Sequence, residues 1–392
     1  MKNIVLVIFA IAIGFVLSEI LVRVFYHVPV DNFAHNPVLQ KQASDTTVFQ
    51  PDDTLGHRLK NGCFVGNYRT GFVCIADIKN DLKENDRLVV LNTGDSSTSG
   101  WDSNVVKENA KRKKSGQPLL SPFHNYKTYS SFLAEDERFY VINAGVPGYS
   151  SFQGKIYLKQ LLDDFKKAGI QIDVVTVYFG NNDSTWNNNE TDEYLISGST
   201  FKIYLKHFVS KISNIFKITT RVPLPEFRKN LDSMIKTCKQ NNVEVILIAP
   251  VIPKTWPPGL RAVGLMGEIV MFAYRSRKIK VGKQFIKARQ YYDEGMVELE
   301  KGNNIDAARY LIKAQQFDYV VPRIKKGYLE AIQEVAREND VKLVSVESKI
   351  PVSDMRYFVD YCHPDEPANI LIANGLISNL IEIKKIASVL VQ

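Results

Sequence analysis

Val89-Val90-Leu91-Asn92-Thr93-Gly94-Asp95-Ser96-Ser97-Thr98-Ser99-Gly100 reads as an apolar strand that runs into a tight turn of glycine, aspartate and small hydroxyl residues. A serine at the end of such a strand has small neighbours that leave its hydroxyl open, so Ser96 is a candidate nucleophile. The same Gly94-Asp95-Ser96 also suits a plain strand-to-helix turn. A nucleophilic serine needs a base, an acid to orient that base and donors for an oxyanion. The reading therefore turns on what the rest of the chain supplies.

Outward from this stretch, apolar segments alternate with helical patterns. Strands are expected at residues 87–92, 139–143, 172–179, 243–249 and 341–346. Helices are expected at 150–167, 224–240, 322–339 and 368–383, the third with Pro322 in its first turn, and a helix ends near 129–135. Residues 172–179 are mostly apolar and β-branched, as in a strand buried on both faces. Strands alternating with helices predict an α/β fold, a doubly wound parallel five-stranded sheet flanked by helices. Residues 27–85 read as an irregular lead-in with short strands, and 86–392 as the main domain.

Residues 255–320 interrupt the alternation. Within 288–318, Gly295, Leu299, Gly302, Ala307, Ala308, Ala314 and Asp318 have the spacing of two antiparallel helices packed around a turn at Gly302-Asn303-Asn304. This pattern resembles a single tetratricopeptide repeat. A lone repeat leaves an apolar face to be covered, so the hairpin is either a brace or lid on the main domain or a surface for a protein partner.

Residues 4–26 form a nearly unbroken apolar run in which Glu19 and Arg23, four apart, lie on one helix face. A run of this length spans a bilayer as a helix, since ~20 residues suffice. No small-x-small cleavage site follows it, so residues 1–26 are expected to be an uncleaved signal anchor. Lys2 on the short amino-terminal side directs the remainder out of the cytoplasm. The net charge of +8 is moderate, and its one dense run, residues 107–114, reads as a solvated loop. No zinc finger, helix-turn-helix or RNA-binding signature accompanies it, so nucleic acid is not an expected partner. None of the four cysteines forms a Cys-x-x-Cys pair. Cys63 and Cys74 flank a hairpin-like segment and suit a disulfide outside the cytoplasm, whereas Cys238 and Cys362 suit apolar packing.

Of six histidines, His363 has the most suggestive setting, Asp360-Tyr361-Cys362-His363-Pro364. Acid and imidazole three residues apart share one side of a helical turn, where the carboxylate reaches the near ring nitrogen and leaves the far one to accept a proton. Two further turns follow strands: one carries Gly148, the other is Gly180-Asn181-Asn182-Asp183. Glycine lets a backbone N–H approach a ligand closely, and an asparagine amide adds a second donor. Each segment follows a different strand, and in parallel sheets ligands bind outside the carboxyl ends of the strands. Tyr149, Phe152 and Trp186 are the aromatics expected near that edge.

The ordered set Gly94-Asp95-Ser96, Gly148, Gly180-Asn181-Asn182-Asp183 and Asp360-x-x-His363 resembles the sequence blocks of SGNH (GDSL-type) hydrolases across about residues 87 to 383. No Gly-x-Ser-x-Gly elbow of the ordinary α/β-hydrolases is present. The resemblance implies a flavodoxin-like sheet and a catalytic set of Ser96 as nucleophile, His363 as base and Asp360 as orienting acid. It implies an oxyanion hole of the Ser96 and Gly148 N–H groups and the Asn182 amide, and neither a metal nor an organic cofactor. The chain is then expected to be a membrane-anchored, extracytoplasmic serine esterase acting on an O-acyl ester of a cell-envelope carbohydrate or lipid. An O-acyltransferase to a polysaccharide would use the same acyl-enzyme. A non-catalytic partner-binding scaffold is the reading from a different class.

Overall fold

The computed structural model describes residues 13–14, 17, 49–52, 54–59, 63–65, 72–82, 87–121, 123, 125–188, 191–193, 218–259, 279–318, 321 and 323–390. They belong to two compact units, Met1–Arg58 with Asn187–Thr219, and Leu59–Trp186 with Thr220–Gln392. The first strands of the chain, β1 (Phe49–Asp52) and β2 (Gly56–Leu59), form a two-stranded sheet. Asp52 closes their turn, its Oδ1 accepting the N–H groups of Thr54 and Leu55.

The second unit is built on a seven-stranded sheet. Its strands are β3 (Cys63–Val65), β4 (Phe72–Cys74), β5 (Leu88–Gly94), β6 (Phe139–Asn143), β7 (Val174–Tyr178), β10 (Glu244–Ile248) and β11 (Lys342–Val344). Two short strands, β8 (Trp186–Asn188) and β9 (Ile218–Thr220), form a separate pair. The order across the main sheet is β11-β10-β7-β5-β6-β3-β4. The five strands from β11 to β6 are parallel, as the sequence predicts, and run in the flavodoxin-like order. The expected five-stranded sheet is nonetheless too small and too uniform. β3 and β4, from the lead-in, add antiparallel to the β6 edge and make the sheet mixed. Cys63 stands opposite Cys74 in the β3–β4 register, and the two form a disulfide.

The central parallel strands β5, β7 and β10 are buried on both faces because helices cover both. Leu88 and Val90 of β5, Val174 of β7, Ile246 and Ile248 of β10 and Val344 of β11 share one apolar cluster. That cluster includes Tyr129 and Leu133 of α4 (Tyr129–Leu133) and Ile372, Leu376 and Leu380 of α10 (Glu366–Leu390). The alternate residues Val89 and Leu91 point the other way, as the two-residue period of a strand requires. Phe165 and Leu158 of α5 (Ser151–Ala168) and Phe227 and Ile235 of α6 (Leu224–Gln240) are equally buried. α5 starts with Ser150 and Gln153 reciprocally capping and ends on Gly169 in the left-handed region.

Two local expectations change. Residues 107–114 are no loop: they lie within α3 (Ser103–Lys114), whose exposed face carries Lys107, Lys111 and Lys114. The helix expected from Pro322 begins later, as α9 (Lys326–Glu338), because residues 323–325 run extended with their backbone bonded to other elements. The remaining helices before the site are α1 (Ile75–Asp81) and the four-residue α2 (Ser96–Ser99).

The helical interruption is present. α7 (Ile279–Glu300) and α8 (Asn304–Phe317) join through a turn at Gly302 and Asn303. Gly295 lies against Leu311, and Tyr291 stacks on Tyr310 and Phe317, which sets the two helices antiparallel. Ala288, Ala307, Leu311 and Ala314 are buried between and beneath them. No helix among the described residues is long and apolar enough to cross a membrane. The expected anchor at residues 4–26 lies outside them, apart from Ile13, Gly14 and Leu17, which are helical.

Candidate active site

β5 delivers Ser96 to the carboxyl edge of the sheet. Asp95 caps the short α2 by accepting the Ser97 N–H at 2.8 Å, which turns the chain sharply and presents Ser96 at the first helical position. Gly94 is required here: a Cβ on it would meet Thr98 Oγ1 at 2.0 Å and the Tyr178 carbonyl at 2.7 Å. The turn is tied to its neighbours from below. Asn143 donates to the Thr98 carbonyl and Tyr129 to Thr98 Oγ1.

The Gly148 loop is brought alongside by backbone pairing that outlasts β6. Ala144 N–H donates to Asn92 O and Val146 N–H to Gly94 O. Gly148 sits at φ 82°, a region that favours glycine. Among the described residues, the N–H groups of Ser96 and Gly148 donate to no acceptor. The Asn182 amide, from the turn after β7, reaches the same neighbourhood but is engaged, donating to Tyr149 O at 3.0 Å and weakly to Asp95 Oδ2 at 3.4 Å.

Asp360 and His363 lie in the loop beyond β11. They do not share a helical turn. The segment is a bend closed by a bridge between Phe358 and Pro364, with Val359 N–H bonded to His363 O. Asp360 Oδ1 accepts the N–H groups of Cys362 and His363, and its carboxylate faces His363 Nδ1 at 2.8 and 2.9 Å. His363 Nε2 is 2.8 Å from Ser96 Oγ. The chain Asp360–His363–Ser96 is therefore continuous, with its two outer links formed across 267 residues of sequence or three.

The electrostatics follow from burial and pairing. Burial alone would raise the Asp360 carboxyl, but the facing imidazole and the hydrogen bonds hold it well below the usual carboxylate range. Burial works against a charged His363, and the Asp360 carboxylate outweighs it, so the imidazole is more basic than usual. Asp95, fully buried, is pushed up to about 6 by desolvation. The Cys362 thiol, its Sγ 3.7 Å from His363 Nδ1, is raised well above its ordinary value by burial and stays a neutral packing group. Among the described residues, Asp360, Cys362 and His363 are also the one group with donor atoms close enough to share a metal ion. Both ring nitrogens of His363 are already committed to Asp360 and Ser96, so a metal there would break the chain.

Two of the expected aromatics do not line the edge. Tyr149 is wholly buried and packs edge-on against Tyr157, and Phe152 is buried with Lys155 over its ring. Both belong to the packing that anchors α5. The side chain of Trp186 lies outside the described residues. Tyr361 instead approaches the His363 ring at 6.2 Å, and Trp256 packs edge-on against Tyr361.

Arg221 was not foreseen. Almost fully buried, it donates to the Gly148 carbonyl at 2.8 Å and to Gln153 Oε1 at 3.0 Å, pinning the loop from behind. Asp183 adds a second tie by accepting the Ser151 N–H at 2.9 Å.

The model of the family described as "GDSL-like Lipase/Acylhydrolase family" matches residues 93–270, a stretch that includes Ser96, Gly148 and Asn182 and ends before Asp360 and His363. None of the curated proteins matches the chain. Solved structures it is similar to include a catalytic mutant of an acetylxylan esterase from Geobacillus stearothermophilus, at 13% identity and TM-score 0.37, covering 76% of this chain and 95% of that one. A GDSL-like lipase from Bacteroides thetaiotaomicron aligns at 12% identity and TM-score 0.37, over 79% and 95% of the two chains. TesA aligns at 14% and TM-score 0.34, over 75% and 99%. Identities and TM-scores this low assign no substrate. The match over residues 93–270, joined to the site above, gives the class: an enzyme acting on ester bonds, similar over that stretch to GDSL-type hydrolases. The match extends no tetratricopeptide assignment to the helical hairpin, which lies beyond residue 270.

Proposed function

We propose that the chain is a serine esterase that cleaves an O-acyl ester of a cell-envelope carbohydrate or lipid, anchored by residues 4–26 with its catalytic domain outside the cytoplasm. The observation that carries the catalytic reading is the 2.8 Å approach of Ser96 Oγ to His363 Nε2, with Nδ1 held by Asp360. Ser96 Oγ attacks the ester carbonyl while His363 Nε2 takes its proton, and Asp360 stabilises the imidazolium. The tetrahedral oxyanion is received by the N–H groups of Ser96 and Gly148, neither of which has another acceptor among the described residues. Asn182 supplies a third donor by giving up its long contact to Asp95. His363 returns the proton to the leaving alcohol; water, deprotonated by the same nitrogen, then releases the acid and restores Ser96.

The extracytoplasmic setting is supported by the Cys63–Cys74 disulfide, since such bonds persist in oxidising compartments. The test is turnover of a small activated acetyl ester by the purified catalytic domain with a polysaccharide acceptor present. Free acetate is the expected product. Acetyl groups accumulating on the polysaccharide would replace hydrolysis with transfer, and loss of neither activity in Ser96→Ala would overturn the nucleophile.

A further inference from the structure

Between α8 and α9 the chain makes a buried connection that catalysis by the Ser96 set does not explain. Arg323 is 2% exposed and donates from Nη2 to Asp318 Oδ2 at 2.7 Å and from Nη1 to the Trp256 carbonyl at 2.9 Å. Asp318 is the residue on which α8 ends. Lys325, also buried, donates to the Asp318 carbonyl at 2.6 Å and more weakly to that of Gln315, and burial pushes its ammonium down to about 8. Two cations beside one carboxylate in a dry place are costly, because each ion loses its hydration. A loop that only linked two helices would not need them.

The same segment is bonded to the turn that carries Asn182. Ile324 N–H donates to Asn181 Oδ1 at 3.0 Å, and Ser184 Oγ donates to Arg323 O at 2.7 Å. Asn181 and Ser184 are buried on either side of Asn182 and Asp183. Ile324 also lies over Gly180, which sits at φ 136°; a Cβ there would come within 2.4 Å of Ile324 Cδ1.

We propose that Asp318 and residues 323–325 form a strap that ties the helical hairpin to the Gly180–Thr185 turn, and that Arg323 is a positioning residue for the Asn182 amide. The proposal rests on the esterase reading of Ser96. Arg323 touches no reacting atom; it acts through Ile324 and Asn181. The guanidinium fork suits the task because two of its arms meet acceptors on separate elements, Asp318 at the hairpin and Trp256 in the loop after β10, which one ammonium cannot span in the same geometry. The hairpin then does more than cover: its position is read by the oxyanion side of the site.

The experiment compares wild type, Arg323→Gln, Arg323→Lys and Ser184→Ala of the full chain on p-nitrophenyl acetate, a substrate too small to need the hairpin for binding. Rates are taken per active serine titrated to completion with a fluorophosphonate, so unfolded molecules do not count. Arg323→Gln is expected to lower kcat at least about tenfold with KM within about threefold, the pattern of a donor misplaced by a distant change. Arg323→Lys should recover little of it, and Ser184→Ala, which removes one hydrogen bond and no charge, should lower kcat a few-fold. Should Arg323→Gln fail to fold, Ser184→Ala carries the result. Wild-type kcat in the folded variants, whatever their melting temperatures, would reduce the strap to a brace and overturn the proposal. A wild-type chain that neither labels nor turns over would instead overturn the esterase reading, and the strap with it.

Discussion

At the scale of single residues, the site is a contest between burial and pairing that pairing wins. His363 is buried, which disfavours its charged form, yet Asp360 makes it more basic than a free imidazole. The base must be neutral to accept the Ser96 proton. Activity should therefore rise with pH through a point above the ordinary imidazole value of about 6.5. A profile flat from about pH 5 to pH 8 would remove His363 as the base. Asp360→Asn should move that acid limb downward and slow turnover by about 10⁴-fold, because the amide favours the wrong tautomer. On the oxyanion side, Asn182→Ala is expected to cost about 10²–10³ in kcat with little change in KM; a change confined to KM would place Asn182 in binding instead. Ser96, Asp360 and His363 were legible because each sits in a short motif after a strand. Arg221 and Arg323 were not, since an isolated arginine acquires meaning only from partners such as the Gly148 carbonyl or Asp318.

At the scale of elements, the turn from β5 into α2 carries a cost that can be measured. Asp95 is fully buried with its carboxyl near 6, against about 3.9 for an unfolded chain. The raised value means that stability from this group is greatest below about pH 4 and declines as pH rises to about 6, a change of about 3 kcal/mol. Asp95→Asn, which keeps an acceptor for the Ser97 N–H, should flatten that dependence and raise the melting temperature at neutral pH; an unchanged slope of stability between pH 4 and 6 would contradict the burial argument. The edge hairpin behaves differently. Replacing both Cys63 and Cys74 by Ser frees β3 and β4 and is expected to cost about 2–4 kcal/mol, read from denaturant midpoints. The central parallel strands β5, β7 and β10 were legible because each is an apolar run covered on both faces. The hairpin of β3 and β4 was legible but its addition to the β6 edge was not, and the start of α9 was misplaced, because tertiary hydrogen bonds to Asn181 and Ser184 overrode the helix-starting preference of Pro322.

At the scale of the whole molecule, one order of strands gathers the chemistry. β5 and β7 are neighbours although β6 comes between them in sequence, so the turns bearing Ser96 and Asn182 open on the same crevice. β11 closes the far edge, and its long exit loop returns His363 to Ser96. Alternation of strands and helices was enough to foresee this convergence; the exact reach of the exit loop was not, being set by the Phe358–Pro364 bridge. The apolar run at residues 4–26 sets a separate expectation. The full chain should fractionate with membranes and resist carbonate extraction, while a chain lacking residues 1–26 should be released with the same kcat on a small ester. Release of the full chain by carbonate would contradict the anchor.

The central claim is that Ser96 is an activated nucleophile, and labelling tests it most directly. A fluorophosphonate added to the folded chain at neutral pH should attach once, on the peptide containing Gly94-Asp95-Ser96, and abolish ester turnover in proportion to labelling. His363→Ala should slow the labelling sharply, and Ser96→Ala should prevent it while leaving the fold intact. Full ester turnover in purified, folded Ser96→Ala would contradict the account.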